Sequence, residues 1–152
     1  MSDLRELYQE VILDHNRSPR NFGPLNPCDH KADGHNPLCG DNVTVYLTVA
    51  DGVVTEVAFD GRGCAISVAS ASMMTELVKG KTIADAERLF DSFQHLCTDE
   101  TEPPAPAGLE DEMDSLQVLS GVRAFPMRVK CATLAWHTMS AALQGQQEVS
   151  TE

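Results

Sequence analysis

Bases are scarce in this 152-residue chain: 11 Lys and Arg stand against 23 Asp and Glu, a formal charge of −12. Nucleic-acid binding needs a clustered basic surface, so that partner class is not expected. Anionic membrane surfaces are disfavoured for the same reason. Aromatics make up only 5% of residues, which leaves a core built from aliphatic side chains, Ala and Met. No apolar run approaches the roughly 18 residues of a membrane-spanning helix. The opening MSDLRELYQEV carries charges throughout and lacks the apolar stretch of an export signal, so a cytoplasmic protein is expected. No pair of cysteines has the C-x-x-C spacing, and neither G-x-G-x-x-G, G-x-x-x-x-G-K-[ST] nor G-x-S-x-G occurs. Phosphate cradles and serine-hydrolase elbows are thereby unmarked.

What is present reads as one soluble globular domain, 1–152. The hydrophobic share is 42% and the charged share 22%, and a chain of this length can bury about two-thirds of its unfolded surface. Residues 3–15 have Leu4, Leu7, Tyr8, Val11 and Ile12 on one helical face. Three prolines and a glycine between Asn16 and Pro27 mark a loop, and residues 28–36 suggest an edge strand. Asn42 to Val49 alternates, an Ala-Asp-Gly turn follows, and Val53 to Phe59 alternates again, the pattern of a hairpin with one buried face. Helical spacing follows over 66–78, from a cap at Thr82 through Phe93, and over 127–143. A short helical turn is expected near Leu116–Leu119. Residues 98–114 hold three prolines, seven acids and no base, which reads as a solvated excursion. The tail from about 146 reads as frayed. The expected fold is α+β, a small antiparallel sheet of about three strands with helices on one face.

Five cysteines without an export signal point to reduced thiols, and the odd number precludes full internal pairing. Cys39 lies in Asn36-Pro37-Leu38-Cys39-Gly40-Asp41, just before the first strong strand. Cys64 lies in Gly61-Arg62-Gly63-Cys64, where strand gives way to helix. Cys131 lies in Arg128-Val129-Lys130-Cys131, in the first turns of the last helix. Helix N-termini favour thiolate over thiol, and thiolate both ligates metals and attacks sulfur. Three converging thiolates with Asp41 would make a four-ligand site for zinc or iron, with the carboxylate as the most exchangeable ligand. The separations of 25 and 67 residues follow no spacing rule, so a set of small buried hydrophobes explains the same cysteines. Cys28 and Cys97, without glycine or cationic neighbours, read as bystanders. His35 reads as a surface histidine, His137 as packing, and Met73-Met74 as core.

At these three segments the sequence resembles the U-type iron–sulfur cluster assembly proteins, the group of IscU, SufU and the N-terminal part of NifU. Asn36 to Asp41, Gly61 to Ser67 and Arg128 to Cys131 match the three cysteine motifs in order, and Leu7 to His15 is similar to the group's first helix. Lys130 stands where the IscU branch has histidine, and Phe125 to Lys130 replaces its Leu-Pro-Pro-Val-Lys motif. The proline-rich acidic stretch and Ala69 to Thr75 look like the SufU branch. That resemblance implies a zinc site of Cys39, Asp41, Cys64 and Cys131. It implies that Cys39 accepts sulfane sulfur from a SufS-type cysteine desulfurase, as a zinc-dependent sulfurtransferase passing sulfur to downstream iron–sulfur scaffold proteins. Arg128, three residues before Cys131, would steady a thiolate or persulfide. The alternatives are a scaffold building a 2Fe–2S cluster on the same residues, or a structural zinc module that docks partners.

Charge is unevenly placed. With seven acids in 98–114, the other 135 residues hold 11 bases against 16 acids, a net of −5. Arg123, Arg128 and Lys130 cluster before Cys131, so a locally cationic thiol site is expected beside an acidic loop.

Overall fold

The computed structural model describes residues 2–37, 39–98 and 106–150, and of Ser2–Tyr8 the backbone alone. Helix α1 runs Ser2–Arg17, followed by strands β1 His30–Asn36, β2 Asp41–Ala50 and β3 Val53–Arg62. Helices α2 Ala65–Val78, α3 Ile83–Thr98 and α4 Glu110–Leu116 come next. A 3-10 segment over Gln117–Ala124 leads into α5 Pro126–Leu143, and β4 Glu148–Ser150 closes the chain. The apolar positions Leu4, Leu7 and Tyr8 that suggested α1 lie outside the described side chains.

The alternation of Val43, Val45 and Leu47 puts all three on the buried face of β2. Their antiparallel partners on β3 include Phe59 opposite Val45 and Val57 opposite Leu47, and both are buried. On β1 the inward series is Ala32, Gly34 and Asn36, opposite Val45, Val43 and Asp41. Helices α5 and α2 lie on this face, and α3 and the 3-10 segment pack on α5 in turn. The helices thus cover one side of the sheet, as the hairpin pattern predicts.

Two expectations need correction. The sheet has four strands in the order β3-β2-β1-β4 and is mixed, because β4 pairs parallel to β1. Residues 148–150 are therefore a strand, and β1 is an interior strand. Asp33 also donates its N–H to the Gln147 carbonyl at 2.8 Å. Three residues are too few to show period-two alternation, and their pairing with residues 115 positions earlier leaves no local trace. The second correction concerns 98–114. Glu110 onward is helical, with Leu109, Met113 and Leu116 buried at i, i+4 and i+7. The acids Glu110, Asp111 and Glu112 fall in the first helical turn, where the positive dipole end favours them. Thr98 ends α3, 106–109 form a turn, and 99–105 lie outside the described residues.

The single Trp organises the helical layer. Trp136 is fully buried, with Phe93 at 5.1 Å and Phe90 at 6.4 Å between ring centroids. Its indole N–H donates to the Ser70 hydroxyl at 3.2 Å, tying α5 to α2. Both helices are buried nearly all round, which their runs of Ala and Ser permit by letting backbones approach closely. Gly34 shows how close: a Cβ there would strike the Thr138 hydroxyl and lie 3.2 Å from Leu134. The absence of that carbon lets α5 settle on β1, and one turn earlier on α5 stands Cys131. Among the described residues, no helix is long and apolar enough to cross a membrane.

Candidate metal centre

The site forms at one end of the sheet, where β1 finishes, β2 begins and α2 and α5 converge. Asn36 and Asp41 are direct cross-strand partners, at 0% and 1% exposure. Between them the chain turns tightly. The Asn36 carbonyl accepts the N–H of Cys39 at 3.2 Å and of Gly40 at 2.9 Å. Gly40 has φ +72°, a left-handed conformation that glycine adopts without strain. The turn leaves Cys39 exposed at its tip.

Asp41 is held from the other side by the segment Gly61 to Cys64. Its Oδ1 accepts the Cys64 backbone N–H at 2.9 Å, and its Oδ2 lies 4.0 Å from the Cys64 Sγ. Cys64 immediately precedes α2, so the carboxylate sits at that helix's positive end. Both glycines of Gly-Arg-Gly are required by this packing. A Cβ on Gly63 would come within 2.6 Å of Asp41 Oδ1, and one on Gly61, at φ +127°, would strike the Asn42 carbonyl.

Helix α5 supplies the last sulfur. Pro126 opens the helix, where its missing N–H costs nothing, and Cys131 follows in the second turn, completely buried. Its Sγ is 3.4 Å from the Cys39 Sγ. The ligand atoms of Cys39, Asp41 and Cys131 all lie within 4.8 Å of one another. Cys64 falls outside that mutual set, although its sulfur borders Asp41. Of the four residues expected to hold a metal, three thus converge and the fourth flanks them.

The donor set fits a thiophilic divalent cation. Two thiolates on a tetrahedral zinc ion would stand about 3.8 Å apart, given Zn–S bonds of about 2.3 Å. The 3.4 Å between Cys39 and Cys131 needs only a small spread to reach that. Without a cation, Cys131 is pushed far above the usual thiol range. Burial is the main cause, and hydrogen bonding with Asp41, Cys39 and Cys64 adds to it. A bound cation reverses this preference, since a coordinating thiol loses its proton outright.

The other expected residues stand apart. Cys97 is buried in the apolar core and pushed up to about 12 by burial, and Cys28 is half-buried. Neither joins a cluster of ligands among the described residues. The His35 Nδ1 bonds the Asn42 amide oxygen at 2.6 Å on the surface. His137 packs edge-on against Phe90 at 4.9 Å, and Met73 and Met74 are core. The cationic cluster is looser than its sequence suggests. Arg123 turns away and donates twice to the Leu96 carbonyl near the end of α3. Arg128 is exposed and lines a groove of about 350 Å³ with Ala65, Ile66, Val118 and Phe125.

Sequence reasoning missed Asn36, whose Nδ2 donates toward the Cys131 Sγ at 3.7 Å. The inward series Ala32, Gly34, Asn36 was the available signal, because a polar residue in an apolar period-two series marks a partner. It also missed His15, buried with its Nδ1 2.7 Å from the Ser72 hydroxyl, which in turn accepts the Arg20 N–H at 2.8 Å.

Residues 7–148 match the family described as the NifU-like N-terminal domain. The chain is 38% identical over 140 residues to the zinc-dependent sulfurtransferase SufU of Bacillus subtilis (strain 168), covering 91% of this chain and 90% of that protein. It is 35% identical over 144 residues to the iron–sulfur cluster assembly scaffold protein IscU of Streptococcus pyogenes serotype M1, covering 95% and 87%. Among solved structures, the cluster assembly scaffold protein of the SUF system from Fervidobacterium islandicum AW-1 superposes with a TM-score of 0.80. The two are 30% identical, and the match covers 88% of this chain and 94% of that one. A NifU-like N-terminal protein of Brucella abortus gives a TM-score of 0.77 at 29% identity, covering 93% and 94%. Fold, cysteine–aspartate cluster and matches spanning nearly the whole chain agree, and the chain belongs to the family of NifU-like N-terminal domains that includes the IscU and SufU proteins.

Proposed function

We propose that this protein is a zinc-dependent sulfur acceptor in iron–sulfur cluster assembly. The observation that carries the reading is an asymmetry within one cluster: Cys39 is exposed on a glycine turn, whereas Asp41 and Cys131 are buried. A cysteine on such a turn can leave the cluster to meet a partner while the buried groups stay in place. Asp41, Cys64 and Cys131 together with Cys39 would hold zinc, which when bound would supply a fixed positive charge that keeps these groups deprotonated without exchanging electrons.

The chemistry falls to Cys39. Its thiolate attacks the outer sulfur of a persulfide on a SufS-type cysteine desulfurase. A new S–S bond forms on Cys39 as the old one breaks, and the desulfurase cysteine leaves as a thiolate that takes up a proton. One disulfide-type bond replaces another, so no external oxidant or reductant is consumed. Arg128, exposed on the same helix as Cys131, offers a cation to the outgoing persulfide before it passes to a downstream iron–sulfur scaffold protein. The cytosol, where thiols stay reduced, is the compartment that suits this chemistry.

A second reading, a scaffold assembling a 2Fe–2S cluster on the same residues, has its support in the similarity to the Streptococcus pyogenes IscU. Metal content separates the two. Protein purified anaerobically should carry tight zinc and stimulate a cysteine desulfurase, and Cys39→Ser should abolish the stimulation. Bound iron with a visible chromophore would favour the scaffold. Zinc without any effect on desulfurase turnover would favour a structural docking module.

A further inference from the structure

Asn36 is completely buried, yet its Oδ1 has no hydrogen-bond partner. A buried amide oxygen without a donor is uncommon in a folded protein and calls for an explanation. The other end of the side chain provides one, because Nδ2 donates toward the Cys131 Sγ at 3.7 Å. The carboxamide is thus set with its N–H on the sulfur and its oxygen left over.

The backbone of Asn36 is committed independently. It pairs with Asp41 across the sheet, and its carbonyl closes the turn that presents Cys39. One residue therefore touches the setting of three site groups: it pairs with Asp41, shapes the loop of Cys39 and points an amide at Cys131. Among the described residues, no amide N–H reaches the Cys39 sulfur. The two thiols that stand 3.4 Å apart are consequently unlike in their surroundings.

Resting on the metal-site reading above, we infer that Asn36 is a positioning residue that fixes the division of labour between these thiols. Its amide N–H holds the Cys131 sulfur toward Cys39 and Asp41, and with a cation bound it would draw electron density from that sulfur, so that Cys131 stays a ligand. Cys39, whose sulfur no amide N–H reaches among the described residues, keeps the nucleophilicity that sulfur transfer requires.

Cobalt(II) serves as the probe, because thiolate-to-cobalt charge-transfer bands report the electron density on sulfur without any turnover. Full-length wild type, Asn36→Ala and Asn36→Asp are titrated with Co²⁺ after far-UV circular dichroism has verified their fold. Asn36→Asp keeps the shape of the side chain and so provides a folded comparison if the alanine variant does not fold. Both variants should bind Co²⁺ about 10–100-fold more weakly, as outer partners of metal ligands usually do. Their charge-transfer bands should move to longer wavelength, with the larger effect in Asn36→Asp. Unchanged affinity and band position in either folded variant would overturn the role of Asn36 while leaving the metal site intact. No uptake of Co²⁺ or Zn²⁺ by the wild type would instead remove the metal site, and the inference with it.

Discussion

Cys97 and Cys131 are both completely buried and both lifted well above the usual thiol range, yet only one belongs to a site. The difference lies in the company each sulfur keeps. Cys97, at the end of α3, lies in the apolar core, and Arg123 opposes its burial only weakly. Cys131 faces the Cys39 thiol, the Asp41 carboxylate and the Asn36 amide at the open end of the sheet. Burial alone makes a thiol inert. Burial among converging donor groups instead makes a place where a bound cation would displace the proton.

The sharpest separation of the two regions comes from damage to the core alone. Trp136→Ala removes the side chain around which Phe90 and Phe93 pack and should cost about 3–5 kcal/mol of stability, read from urea denaturation. Where it still folds, its zinc content should be that of the wild type. Asp41→Ala should do the reverse. Loss of a ligand should weaken zinc binding by more than the roughly 100-fold typical of an outer partner, measured by competition with a chelator, and full occupancy would refute its place among the ligands. Cys97→Ala should leave zinc affinity unchanged and lower stability by about 1 kcal/mol. A loss of zinc in that variant would erase the distinction between the two thiols.

The smallest effect is one of pH. Burial of His15 disfavours its charged form and lowers its pKa below the ordinary histidine value. Its contribution to stability is therefore complete above pH about 6.5, the unfolded value, and is lost as the pH falls through the lowered folded value. His15→Gln should flatten the pH dependence of stability of the metal-free protein in that acid range. His137, also lowered by burial, leaves part of the slope in place.

Much of this was legible before the fold was known, and the limits have physical reasons. The β2–β3 hairpin announces itself because one face of each strand is buried, so period-two alternation survives in the sequence. Helix α4 was hidden because seven acids around it outweighed the three apolar residues that bury it. Strand β4 left no trace, being three residues long and paired with a strand far back in the chain. In the site, the motifs single out Cys39, Asp41 and Cys131, and the fold brings their ligand atoms together. Cys64 is expected in the same set, but its backbone N–H, more than its sulfur, engages Asp41. The series Ala32, Gly34, Asn36 marks Asn36 as an inward polar residue, but its partner on α5 depends on that helix settling over Gly34, a contact no local pattern encodes.

The central claim is that exposed Cys39 receives sulfur while its buried neighbours hold the metal. Anaerobic incubation of the zinc-loaded protein with a cysteine desulfurase and cysteine, followed by peptide mass spectrometry, tests it directly. One additional sulfur atom on the Cys39 peptide, with Cys64, Cys97 and Cys131 unmodified and zinc retained, is the predicted result. Sulfur on Cys131 or Cys64 instead, or none on Cys39 while the desulfurase turns over, would contradict it.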